Sequence, residues 1–193
     1  MKISVKKLTI MAMLTAIALI IFIIEAQIPL PVPVPGAKLG LANVVTLFAL
    51  FYKPQPPGGS RGKEKKTPGK EEQTPGNLTT ANAFTILLCR IILGAAFTGR
   101  MLALIYSLTG GLLGFTAQVI VKRFVTHKQI WVCGAIGAVF HNVGQIIAAI
   151  LVTGTPSIVA YMPVLIIAGV ITGALTGLIA QLTLARISKD ILK

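Results

Sequence analysis

Seven polar residues stand inside or beside stretches that are otherwise apolar: Glu25, Lys38, Asn43, Arg90, His141, Asn142 and Gln145. An arginine within a lipid-spanning segment costs about 2.5–3.5 kcal/mol on insertion scales, so it faces a bundle interior or water. Its guanidinium fork suits a carboxylate or phosphate. A structural partner, Glu25 or a helix-end carbonyl, answers the same need, and the two roles are compatible. His141 and Gln145 are four residues apart and share a helix face, with Asn142 about 100° round the axis. Three polar side chains there imply either an interhelical hydrogen-bond network or a polar pocket. His141 can also change charge near neutral pH. Lys38, Arg90 and His141 together favour a ligand with an anionic group. The sequence shows no nucleophile–base pair, paired carboxylates or Cys/His metal spacing, so no catalytic residue, metal site or cofactor is expected.

These residues must be positioned by helices. The chain has 193 residues, is 54% hydrophobic and only 12% charged. Soluble domains carry about 25% charged residues. Apolar runs recur throughout and predict six segments at residues 8–28, 39–52, 81–97, 101–121, 130–152 and 159–184. The expectation is one all-α transmembrane domain over residues 1–193, a six-helix bundle in the lipid bilayer.

The net charge of +13 does not imply a nucleic-acid partner. Of the 18 basic residues, all but Lys38, Arg90 and Arg100 fall on alternate connections or at the termini. That asymmetry is the positive-inside pattern. It predicts that both termini are cytoplasmic, with the basic side against anionic headgroups. The N-terminal run LTIMAMLTAIALIIFII is longer than a signal-peptide core and lacks a small-x-small cleavage pattern, so it reads as an uncleaved first helix.

The second segment is unusual. Pro29, Pro31, Pro33 and Pro35 alternate along the chain and exclude a helix there. Gly36 and Lys38 then lead into Leu39–Tyr52, whose 14 residues fall short of the about 20 needed to span. Either a rigid outer loop feeds a short, partly unwound helix, or a stiff connector joins two ordinary helices. Residues 53–80 are rich in Pro, Gly and charge, with Leu78 almost the only large apolar residue, and read as a flexible cytoplasmic loop. Ala12 and Ala16 share a face of the first helix and suit close approach by another helix, from this chain or a separate subunit. Gly169, Gly173 and Gly177 form a comparable packing ridge in the last helix.

The stretches PVPVPGAKLGLANVVTLFAL, HNVGQ and YMPVLIIAGVITGALTGLIAQL closely resemble the small membrane family called Gx transporter or heptaprenyl diphosphate synthase component I. Lys53 to about Asn77 departs from that resemblance as an insertion. The family in turn looks like the S components of energy-coupling-factor (ECF) transporters. That likeness implies a bacterial cytoplasmic-membrane protein whose six helices enclose a small-molecule pocket open to the outside. It also implies that Ala12 and Ala16 meet an ECF coupling module, a transmembrane subunit with ATPases. On this basis Glu25, Lys38, Asn43, Arg90, His141, Asn142 and Gln145 are expected to bind the substrate: a vitamin, a flavin or an isoprenoid-related compound. The alternative is a non-catalytic accessory of polyprenyl diphosphate synthesis, or of flavin- or quinone-linked electron transfer. Asp190 is the only aspartate, so the aspartate-rich magnesium chemistry of prenyl synthases is beyond this chain alone.

Overall fold

A computed structural model describes residues 5–28, 39–52, 78–99 and 101–190. These form six α-helices and no strand. They are α1 (Val5–Glu25), α2 (Asn43–Phe51), α3 (Thr80–Thr98), α4 (Met101–Val121), α5 (Ile130–Thr153) and α6 (Met162–Asp190). Short 3₁₀ turns at His127–Gln129 and Pro156–Tyr161 lead into α5 and α6.

The boundaries follow local chemistry. Thr79 caps α3: its hydroxyl accepts from the Asn82 N–H, and the Asn82 side chain accepts from the Thr79 N–H at 3.1 Å. This reciprocal pairing satisfies two donors that a helix start leaves orphaned. α5 stops where Gly154 takes φ +65° and returns its N–H to the Ile150 carbonyl at 2.8 Å. Pro156 then opens the turn into α6.

Five helices, all except α2, are long and apolar enough to cross a membrane. α2 has nine residues and is about 13 Å long, against a hydrocarbon core of about 30 Å. The chain is thus an all-α membrane protein. Its outer surface has the inverted character that lipid demands: Met13, Ile20, Ile24, Phe97, Leu102, Leu151, Ile167 and Ile171 are all exposed. In water such a continuous apolar surface would drive association.

Two apolar clusters mark the ends of the bundle. One joins the end of α2 (Phe51), the approach to α3 (Leu78), the start of α5 (Ile130) and the latter part of α6 (Ala180). The other joins the beginning of α4 (Tyr106), the latter half of α5 (Ile146, Ala148, Ala149) and the beginning of α6 (Leu165). Successive helices therefore run in alternating directions. Lys6, Lys7, Lys122, Arg123, Lys128 and Arg186 all belong to the first end, where the Lys122 ammonium sits 5.8 Å from the centre of the Phe51 ring.

α5 packs most extensively, against α4 and α6. Glycine allows both contacts. A Cβ on Gly144 would come within 2.8 Å of the Gly110 Cα, and one on Gly134 within 2.3 Å of the Gly173 carbonyl oxygen. The Gly169, Gly173 and Gly177 ridge lies along α5, against Asn142, Gly134 and Trp131. The short α2 contacts each of the other five helices and buries Val45, Thr46, Leu47, Ala49, Leu50 and Phe51. It is a central plug rather than a span.

Candidate functional site

Between the two apolar clusters lies a belt of buried polar side chains. α1 contributes Glu25 at its last position, 4% exposed. α3 contributes Arg90 from its middle, 2% exposed. α5 contributes His141 and Gln145, and α2 contributes Asn43 at its first position.

Gly40 connects these groups. Its φ of +78° is the left-handed conformation, where an L side chain is disfavoured. The turn it makes lets its carbonyl accept from the Asn43 N–H at 2.9 Å and turns its own N–H towards Glu25 Oε1 at 2.5 Å. Space is also closed on the other side. A Cβ on Gly40 would lie 3.0 Å from Asn43 Nδ2 and 3.2 Å from His141 Cδ2.

Asn43 carries the contact onward. Its Oδ1 accepts from Arg90 Nη2 at 3.1 Å. Arg90 Nε is buried and has no hydrogen-bond partner among the described residues. On α5, Gln145 Nε2 is 3.1 Å from His141 Nε2. With the amide nitrogen donating, the ring accepts at Nε2 and carries its proton on Nδ1. Gly110 of α4 makes room for this pair: a Cβ there would lie 3.0 Å from both His141 Cε1 and Gln145 Cγ.

The fold thus brings together Glu25, Asn43, Arg90, His141 and Gln145 through the Gly40 turn. Asn142 faces elsewhere. Its Nδ2 donates to the Leu165 carbonyl of α6 at 2.5 Å, and it lies over Gly169. Lys38 falls outside the described residues. Ala12 and Ala16 are exposed on α1. Sequence reasoning passed over two residues of this region. Gly40 was signalled only by its place in KLGLAN, ahead of the helix. Thr46, three residues after Asn43 and so on the same face of α2, has a buried hydroxyl without a partner.

Chemically the belt is a set of hydrogen-bond donors and acceptors with one cation and one carboxylate. Arg90 has donors to spare for an oxyanion, and Thr46 can add a hydroxyl. No group of three or more His, Cys, Asp or Glu among the described residues has metal-binding geometry.

An apolar exterior, alternating helices and a buried polar belt define a polytopic membrane protein built around an internal polar site. The chain belongs to the heptaprenyl diphosphate synthase component I family, whose model matches residues 14–55 and 76–183. The interval between those matches falls within the segment read from the sequence as an insertion. No curated protein and no solved structure matches the chain.

Proposed function

We propose that this protein is the membrane-embedded substrate-binding subunit of a transporter, of the kind represented by ECF S components. It would take up a small organic molecule bearing an anionic group, such as a vitamin, a flavin or an isoprenoid-related compound. The observation that carries this reading is Arg90. Among the described residues, this guanidinium, 2% exposed in the middle of a membrane helix, has an unused donor and only a neutral amide as its hydrogen-bond partner. A purely structural arginine at such cost is expected to have its donors spent.

Three further features support the reading. The basic residues gather at one end, which by the positive-inside rule faces the cytoplasm and puts Glu25 and the start of α2 towards the outside. Ala12 and Ala16 are exposed on α1, available to a coupling subunit. No nucleotide-binding loop of the Walker type occurs in the sequence, so energy would come from partner ATPases.

The test is mass spectrometry of small molecules retained by the purified protein. Arg90→Ala is expected to abolish retention, with Arg90→Lys intermediate because it keeps the charge and loses the fork. Unchanged retention in Arg90→Ala would remove Arg90 from the site.

The family's name favours a second reading, a non-catalytic membrane component of heptaprenyl diphosphate synthesis. Deleting residues 54–76 separates the two. A binding subunit keeps its ligand after the deletion, whereas an accessory that docks through its cytoplasmic loops loses its synthase partner.

A further inference from the structure

The charges of the belt narrow the ligand class, granted the binding role just proposed. Among the described residues, the charged side chains buried in the bundle are Glu25 and Arg90, one of each sign. Buried opposite charges usually close into a direct ion pair, because attraction is strong where water is excluded. Here they do not. The guanidinium's hydrogen bond goes to Asn43 and the carboxylate's to the Gly40 N–H. The Gly40–Asn43 turn carries both bonds and so holds the two charges in one region. Both ends have capacity left among the described residues: Arg90 Nε has no partner, and the Gly40 bond of Glu25 engages Oε1 and not Oε2. Thr46, one turn along α2 from Asn43, adds a buried hydroxyl that also lacks a partner.

A ligand with only an anionic group would satisfy Arg90 but leave Glu25 and its own charge as like charges in a low-dielectric interior, which disfavours binding. A ligand with only a cationic group meets the mirror-image problem at Arg90. A molecule carrying one of each leaves the site neutral and uses both spare ends. We infer that the ligand is zwitterionic: its carboxylate or phosphate is held by Arg90 and Thr46, and its ammonium-type nitrogen by Glu25. No separate ion is then required to balance the buried site.

The experiment uses the full-length protein in detergent and matched probes whose binding is read by isothermal calorimetry. One set is 6-aminohexanoate, hexanoate and hexylamine; the other is phosphoethanolamine, ethyl phosphate and ethylamine. The zwitterion of at least one set is expected to bind about tenfold or more tightly than either singly charged relative, the scale of one hydrogen bond to a charged group. Glu25→Gln is expected to erase that preference while binding of the anion persists. Glu25→Asp, which keeps the charge, retains the preference in part and guards against a folding artefact. Arg90→Ala removes binding of both the zwitterion and the anion. If the anion binds as well as the zwitterion, or Glu25→Gln tightens it, Glu25 is a tethered competitor; the zwitterion inference is then overturned while the binding role of Arg90 stands. If no probe shows the zwitterion preference, the inference is likewise overturned. Retention of the native ligand undiminished in Arg90→Ala would instead overturn the binding-subunit reading itself.

Discussion

Removing Arg90 and Glu25 singly and together tests whether the buried charges act as a unit. Arg90→Met strands the Glu25 carboxylate, which is 4% exposed, and frees the half-buried Asn43 Oδ1. Breaking a buried charge pair from one side costs about 3–5 kcal/mol. Glu25→Gln is milder, about 2–3 kcal/mol, because the amide oxygen can still accept from the Gly40 N–H. Each group hydrogen-bonds a different partner, the guanidinium Asn43 and the carboxylate the Gly40 N–H. At about 4 Å and an effective dielectric near 20, attraction between unit charges is about 4 kcal/mol, and it falls with distance. The double variant should therefore lose about 1–3 kcal/mol less than the sum of the singles. For a chain of this size that is a difference of several degrees in Tm. Thermal unfolding of the purified variants in detergent, followed by helical circular dichroism, measures it. Additivity within about 0.5 kcal/mol would refute the coupling and leave each charge satisfied by its own local partners.

Two further outcomes follow from the packing. Gly134→Leu drives side-chain atoms into the Gly173 carbonyl and Gly177 backbone of α6, which cannot rotate away, so it should destabilise by about 1–3 kcal/mol or more and lower the Tm accordingly; Ala16→Leu, on the exposed face of α1, should leave the Tm unchanged yet reduce co-purification of a coupling subunit. Gly40→Ala imposes a left-handed L residue at about 1–2 kcal/mol and presses a methyl on Asn43 and His141, so retained ligand measured by mass spectrometry should fall more than stability does.

Much of the architecture is legible in the chain itself. An apolar run of sufficient length must become a helix in lipid, because no other conformation satisfies its backbone there. This is why α1 and α3 to α6 stand where hydropathy puts them. The brevity of α2 was equally readable from the prolines before it and the charged segment after it. Its role as a plug touching all five other helices was not, since a count of residues shows that a segment cannot span but not where it goes. The glycine spacing of α6 pointed to close packing, and the partner turned out to be α5 through Gly134 and Ala138.

The candidate site divides in the same way. Helical periodicity alone put His141 and Gln145 on one face and Asn142 off it, and in the fold Asn142 turns to the Leu165 carbonyl of α6. The cost of an arginine in lipid also determined that Arg90 had to face the bundle interior or water. Only the tertiary structure decided that Arg90 meets Asn43, that Gly40 links Glu25 to the α5 pair, and that the buried Arg90 and Glu25 stay apart. Those contacts join residues separated by tens of positions on four different helices. They depend on helix rotation and depth, which side-chain interlocking sets at the glycine contacts and no single segment encodes.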